Sequence, residues 1–183
     1  ARCLSSAVPQ HAQCVIIGGG IIGTSTAYHL AKRGWTDVVL LERHALTAGT
    51  TWHAAGLMVT FGSLSSTSTA WRKYSKSLYQ SLEAETGQST GFLGCGFIEL
   101  ATEPDRLEEY RRVAAFNRKE GVDVQEISAR DVASLFPLCR TDDVLAGFYV
   151  ADDGRVNPVD ATQALAKGFR LLGGTIVEGV ECQ

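Results

Sequence analysis

A short unbroken apolar run, Cys14–Ile17, does not alternate with polar residues and so predicts a strand buried on both faces. Three glycines follow, and Ile21–Arg33 then carries apolar residues at Ile22, Ala27, Leu30 and Ala31, a helical spacing. Lys32 and Arg33 ahead of Gly34 predict the helix end, because cations meet the negative end of the dipole and glycine takes the left-handed turn. Val38–Leu41 is a second unbroken apolar run. Strand, glycine turn, helix and strand within about thirty residues predict a βαβ unit with parallel strands.

The middle of the chain changes character. Gly62–Thr69 is rich in Ser and Thr and predicts a loop. From Ala70 to Glu85, Trp71, Tyr74, Leu78 and Leu82 fall on one helical face. Phe97–Ala101 predicts a strand. Thr102 with Asp105 predicts the capped start of a helix that carries Leu107, Tyr110 and Ala114 inward and stops near Gly121. Ser128 with Asp131 repeats the device before a shorter helix that ends ahead of Pro137. Leu145–Val150 predicts a strand closed by the turn Asp152-Asp153-Gly154. Asn157, Pro158 and Asp160 open a last helix to about Leu172, and Gly173-Gly174 precede a strand at Thr175–Val180. No internal repeat is visible. The α/β rhythm at both ends predicts a doubly wound domain interrupted by a second one. The expected parts are a leader remnant or tail (1–13), a first part of the cofactor domain (14–61), inserted helices with part of a strand-rich substrate domain (62–154), and a truncated second part of the cofactor domain (155–183).

Composition bounds the class. With 183 residues, 45% hydrophobic and 20% charged, the chain is globular, of one domain or slightly more. A net charge of −3 and a pI near 5.8 argue against nucleic acid or an anionic membrane as the main partner, since either needs a basic face. No apolar run approaches the ~20 residues of a membrane-spanning helix. The five cysteines (Cys3, Cys14, Cys95, Cys139, Cys182) are irregularly spaced without a CxxC pair, which predicts reduced thiols rather than a disulfide framework or a zinc site. The first residue is Ala and the only methionine is Met58, so the chain is expected to be a piece of a longer product. Its opening, ARCLSSAVPQHAQ, contains Arg and Ser but no acid, the composition of a mitochondrial transit-peptide remnant; an unstructured tail is the alternative.

Gly18-Gly19-Gly20-Ile21-Ile22-Gly23 matches GxGxxG. With 19 glycines in the chain the pattern alone says little, but its context is specific: it follows a strand, opens a helix, and Glu42 ends the next strand 19 residues after Gly23. Gly18 makes the sharp turn, Gly20 lets backbone approach a pyrophosphate, and Gly23 lets helix and strand pack closely. Amides at the positive helix end then hold phosphate without a lysine. Glu42 can accept from both hydroxyls of an adenosine ribose and would repel a 2′-phosphate, which disfavours NADP. FAD and NAD both use an acid there, and these residues leave the two open.

After Glu42 and Arg43, an NAD domain would begin another strand-and-helix repeat. Instead Leu46-Thr47-Ala48-Gly49-Thr50-Thr51-Trp52-His53-Ala54-Ala55-Gly56-Leu57 is a small, hydroxyl-bearing loop. Here the sequence resembles the dimethylglycine dehydrogenase and sarcosine dehydrogenase family of FAD-dependent enzymes, in four ordered blocks: CVIIGGGIIGTSTAYHLAKRGWTDVVLLER, LTAGTTWHAAGL, LEAETGQSTGF, and DDGRVNPVDATQALAKG with GGTIVEG. The resemblance implies a Rossmann-like FAD-binding domain, incomplete here, in which Gly18, Gly20, Gly23 and Glu42 hold the ADP half of FAD, with Arg43 and Gly56 also among the cofactor-binding residues. It places Thr50 and Thr51 near the pyrophosphate and ribityl chain and makes His53 the residue that carries flavin covalently through a ring nitrogen. His11, His29 and His44 are read as ordinary, and no spacing among them suggests a metal. Tyr74, Tyr79, Tyr110 and Tyr149 are read as core residues, and no catalytic acid or base is assigned.

What the resemblance implies for function is a mitochondrial-matrix dehydrogenase oxidising the N-methyl group of a small N-methylated amino acid. Electrons would pass to a flavoprotein carrier, and tetrahydrofolate would bind only in a C-terminal half outside this chain. The 183 residues alone are expected to be inactive, with other chains covering a truncated sheet edge. A regulatory subunit of pyruvate dehydrogenase phosphatase, which is similar over the same stretch but lacks the linking histidine, is the non-catalytic alternative; an accessory structural piece is a third. Retention of His53 favours the enzyme.

Overall fold

The computed structural model describes residues 8–182. The leader expected at 1–13 therefore lies largely outside the described residues, as does Cys3. The elements in chain order are β1 (Cys14–Ile17), α1 (Ile21–Lys32), β2 (Val38–Glu42), a single 3-10 turn (Thr51–His53), β3 (Leu57–Met58), α2 (Ser66–Thr86), β4 (Phe97–Ala101), α3 (Pro104–Lys119), β5 (Gln125–Ile127), α4 (Ala129–Leu135), β6 (Ala146–Val150), β7 (Gly154–Arg155), α5 (Pro158–Leu171) and β8 (Thr175–Glu178). The chain divides into two compact units. One takes the chain up to Gly56, the segment Tyr79–Phe92 and the chain from Val156 onward; the other takes Leu57–Leu78 and Leu93–Arg155. The division falls inside α2, so residues 79–92 group with the glycine-turn unit rather than with the insertion expected over 62–154.

The first unit is built on a three-stranded parallel sheet in the order β1-β2-β8, formed by the three strands the sequence supplies for it. Cys14–Ile17 pair with Val38–Leu41, and Val39–Glu42 pair with Thr175–Glu178. The register brings the carboxyl ends of β1 and β2 level with the glycine turn, where Gly18 N–H donates to Leu41 O at 2.8 Å. Helix α1 packs on α5 as well as on β1 and β2. Its inward residues are Thr24, Ala27, Tyr28 and Ala31. Ile22, expected inward, is 81% exposed: it sits in the first turn, facing the open space in front of the glycines. Val39, Leu41 and Val177 form a small core, against which Ala12 and Val180 pack. Gly179, at φ +78°, ends β8 two residues before the sequence pattern does.

The second unit pairs an antiparallel sheet in the order β4-β6-β5 with a two-stranded ribbon of β3 and β7. Its core joins Phe61, Ala101, Val113, Ala114, Val122, Val124, Ala146, Phe148 and Val150, with Leu107 and Tyr110 packed against it. Phe61 and Phe148 lie nearly parallel, 5.7 Å between centroids. Ser128 and Asp131 form the expected reciprocal capping box at α4.

Two helix starts differ from expectation. Helix α2 begins at Ser66, inside the segment predicted as loop, because Ser65 acts as its cap: its carbonyl accepts from Thr69 N–H at 2.9 Å and its hydroxyl from Ser68 N–H at 3.3 Å. Of the predicted apolar face of α2, Leu78 and Leu82 are buried while Trp71 and Tyr74 stand 70% and 53% exposed. Helix α3 is capped at Glu103, not Thr102, with no side-chain cap bond; Pro104 at the first position has its φ preset for the helix and carries no N–H to satisfy.

Candidate active site: a cleft at the glycine turn

The first unit holds a cleft of about 940 Å³ at the carboxyl ends of β1 and β2. Its floor is the glycine turn. Gly18 takes φ +108°, a conformation that favours glycine. A side chain at Gly23 would run into the carbonyl of Gly18, so this glycine permits the close strand-to-helix passage. The first-turn amides of Ile22 and Gly23 have no carbonyl within their own helix to bond, and both residues line the cleft. They offer an anion the positive end of α1.

Ile21 N–H is the exception in that first turn. Gly20, at the cap position, has no side chain to serve it, and the Thr51 hydroxyl accepts it instead at 3.0 Å from a segment thirty residues away. Gly20 also makes room for this contact, since an added Cβ would lie 3.0 Å from Thr51 Oγ1.

Glu42 ends β2 on the cleft wall. Its Oε2 accepts Gly19 N–H at 2.7 Å and its Oε1 accepts His44 N–H at 2.9 Å. Burial works to raise this carboxyl, but the two N–H donors, with His44 and Arg43 beside it, outweigh burial and hold it below the usual carboxylate range. Glu42 is therefore an anion with lone pairs left for a further donor.

Of the residues singled out from the sequence, Gly18, Gly20, Gly23, Glu42, Arg43, Thr50 and Thr51 all line the cleft. His53 and Gly56 do not. His53 is exposed at the end of the 3-10 turn, next to the cleft-lining Ala54, with its ring against Trp52 at 3.8 Å between centroids. Gly56 has a packing reason of its own: it takes φ +73°, a side chain there would meet the carbonyl of Val156, and its carbonyl accepts Val156 N–H at 2.8 Å.

The sequence reading passed over several contributors. Val180, Glu181 and Cys182 form another wall of the cleft, where the chain leaves β8 alongside β2: Val180 N–H donates to Glu42 O at 3.0 Å and Gly179 N–H to His44 O at 3.1 Å. His44, read as ordinary, also lines the cleft. Thr47 takes φ +70°, uncommon for a β-branched residue, and is held there by its N–H to Gly19 O and by Leu46 N–H to the Glu178 carboxylate at 2.6 Å. None of these has a one-dimensional signal, because each acts through backbone direction fixed by the register of β2 and β8.

The second unit has an open groove of about 420 Å³ between β3 and α2, walled by Leu57, Met58, Val59, Trp71 and Arg72. It contains none of the motif residues. Among the described residues no group of three or more His, Cys, Asp or Glu side chains could hold a metal ion. Likewise no helix among them is long and apolar enough to cross a membrane.

The glycine cradle, the free first-turn amides and the anchored acid fit the ADP half of FAD. Rat mitochondrial dimethylglycine dehydrogenase is 45% identical over 162 residues, covering 88% of this chain and 19% of the relative. The mouse mitochondrial pyruvate dehydrogenase phosphatase regulatory subunit is 44% identical over 178 residues, covering 97% and 20%. The chain thus spans about a fifth of the length of these two curated relatives. Among solved structures, L-proline dehydrogenase from P. horikoshii superposes with a TM-score of 0.89 at 26% identity, over 96% of this chain and 46% of that one. Residues 13–183 match the family described as DAO, FAD dependent oxidoreductase. A Rossmann-type turn, an acid at the end of the second strand and that match along nearly the whole described length place this chain in the FAD-dependent oxidoreductase family.

Proposed function

We propose that the chain is the FAD-binding portion of a flavoprotein dehydrogenase that oxidatively demethylates a small N-methylated amino acid, dimethylglycine or sarcosine. The observation that carries this conclusion is the cleft itself, where the first-turn amides of α1, the anchored Glu42 and the Thr50–Ala54 segment converge. The likeness to dimethylglycine dehydrogenase supplies the substrate class. FAD, when bound, supplies the acceptor for a hydride from the N-methyl carbon.

The residues of this chain bind and orient. Gly18, Gly20 and Gly23 admit the pyrophosphate, Glu42 receives the ribose hydroxyls, and Arg43, Thr50 and Thr51 complete the wall. Gly56 sets the chain path that follows the loop. His53 would be the attachment residue, one of its ring nitrogens bonding to the 8α carbon of the flavin with loss of one C–H and one N–H, the two electrons and two protons passing to dioxygen. Electrons from turnover leave to a flavoprotein carrier, and tetrahydrofolate takes the one-carbon unit in another part of the protein, in the mitochondrial matrix. No acid or base for the chemical step is assigned within these residues, and the 183 residues alone bind FAD without turning over substrate.

The test is acid precipitation of the full-length protein followed by a dye-reduction assay. Flavin fluorescence should stay in the pellet, His53→Ala should release it to the supernatant, and dimethylglycine or sarcosine should drive dye reduction. The alternative is a non-catalytic regulatory subunit, favoured by the likeness to the phosphatase subunit along nearly the whole chain. A colourless purified protein, or a yellow one inert to both amines, would decide for it.

A further inference from the structure

The Thr51–His53 turn carries a contact with a consequence for attachment, and the inference rests on the proposed role of His53. Thr51 is buried, at 8% exposure, and its Oγ1 accepts Ile21 N–H at 3.0 Å, so one end of the turn is pinned to the start of α1. The turn is closed by His53 N–H to Thr50 O at 3.1 Å and Ala54 N–H to Thr51 O at 3.2 Å, which leaves little freedom between Thr51 and His53. It also packs against α5. At the other end the His53 ring lies on Trp52, tilted by 39° at 3.8 Å. Gly20 is what allows Thr51 to come so close, as its missing Cβ is the space Oγ1 needs. The same backbone that receives a phosphate therefore sets where His53 begins.

We propose that Thr51 is a positioning residue for flavin attachment: by capping α1 with its hydroxyl, it registers the His53 turn on the glycine loop, so that seating the pyrophosphate and placing the imidazole are governed by one hydrogen bond. Thr51 makes no bond to the 8α carbon. It acts through the backbone of the turn, and Trp52 restricts the imidazole plane that the turn presents. Orientation errors on the order of 1 Å are enough to slow a bond-forming step about a hundredfold.

The experiment uses full-length protein made without flavin, to which FAD is added at saturating concentration while acid-stable fluorescence is followed in time. Working at saturation removes any change in affinity, so the first-order rate reports placement alone. Thr51→Val keeps the β-branched shape and loses the hydroxyl; attachment should slow about tenfold or more. Thr51→Ser keeps the hydroxyl and should stay within about threefold of the unmodified protein. Thr51→Ala, which removes the hydroxyl without bulk, replaces the valine variant if that one does not fold. A cap that served only stability would lower the thermal midpoint and the affinity in Thr51→Val and leave the saturating rate untouched; that result overturns the proposal, as does a serine variant as slow as the valine one. No acid-stable flavin in the unmodified protein, or its retention in His53→Ala, removes the role of His53 itself and this inference with it. Slow attachment confined to the hydroxyl-less Thr51 variants isolates the positioning effect.

Discussion

Glu42 Oε2 accepts Gly19 N–H at 2.7 Å, so the acid expected to meet a ribose also ties the end of β2 to the glycine turn. Together with the His44 N–H bond, this gives the carboxylate a structural task that depends on its charge. Its value in the folded protein lies below the usual range, so the stabilisation is fully present above the ordinary glutamate value and fades as pH falls through the lower folded value. Thermal midpoints measured from about pH 6 to pH 3 should therefore fall less steeply in Glu42→Gln than in the unmodified protein. At neutral pH the same variant should bind FAD about tenfold to a hundredfold more weakly, the worth of a charge-assisted hydrogen bond. An unchanged acid limb would show that the carboxylate does not anchor the turn.

The glycines of the motif differ in what surrounds them, and so should their variants. A methyl group at Gly23 would overlap the Gly18 carbonyl, a rigid neighbour; at Gly20 it would meet Thr51 Oγ1 at 3.0 Å, and at Gly49 it would meet nothing within 4 Å. Flavin content per chain should fall most in Gly23→Ala, substantially in Gly20→Val, and little in Gly49→Ala. The stability cost of Gly23→Ala should be about 1–3 kcal/mol, the range of an overpacked site. Equal flavin loading in Gly20→Val and Gly49→Ala would mean that the pyrophosphate does not approach Gly20.

The contrast among these glycines shows what the sequence discloses and what it withholds. The βαβ unit, the parallel strands β1, β2 and β8, the α4 capping box and Gly18, Gly20, Gly23 and Glu42 follow from local patterns, while Arg43, Thr50 and Thr51 follow from the family resemblance; these seven residues line one cleft. Those patterns are local in origin: an apolar run marks a strand and a capping box spans four residues, but burial on both faces holds for β2 alone among these three strands, since β1 lies at the edge of the sheet order with Val15 and Ile17 52% and 71% exposed. What escaped is non-local. Ribbon strands β3 and β7, two residues each, are too short to show alternation. The cap of α1 comes from Thr51 rather than from its own first turn, and the wall at Val180–Cys182 exists only because β8 lies beside β2. Ser65 hid a helix start inside a hydroxyl-rich stretch, because the residues that favour loops are also those that cap helices.

Asp153 is the buried charge of the second unit. Its side chain is fully covered and accepts Thr60 N–H and Thr60 Oγ1–H at 2.7 Å each, while Lys76 Nζ reaches it at 3.2 Å. Asp153→Ala leaves the Thr60 groups and the ammonium without their acceptor and should cost about 3–5 kcal/mol in denaturant unfolding. Lys76→Met should cost less, about 1–3 kcal/mol, because Asp153 keeps both Thr60 bonds and Lys76 is itself partly exposed. If Lys76→Met is the more damaging of the two, the pairing rather than the hydrogen bonds holds this site.

Gly168 tests the packing of α1 on α5. Within a helix, alanine is the better helix former by up to about 1 kcal/mol, so propensity alone predicts that Gly168→Ala, in the last turn of α5, stabilises. Packing opposes it. The added methyl would lie 2.8 Å from Tyr28 Cε2 and 3.2 Å from Thr86 Cγ2, and Tyr28 has no room to retreat, being 1% exposed. Its hydroxyl is fixed as well, donating to Glu85 Oε2 at 2.6 Å, an oxygen that also takes Lys32 Nζ at 3.2 Å. Burial first, and then the Glu85 carboxylate, hold the Tyr28 hydroxyl above its usual value, so it remains a donor across the working pH range. Overpacking of about 1–3 kcal/mol should exceed the propensity gain and leave Gly168→Ala less stable by about 1 kcal/mol or more. Tyr28→Leu in the same chain should make room and recover part of that loss, a coupling that a double-mutant cycle measures directly. A Gly168→Ala protein as stable as the unmodified one, with no coupling to Tyr28, would show that the helices separate enough to absorb the methyl and that the Tyr28–Glu85 bond does not fix their spacing.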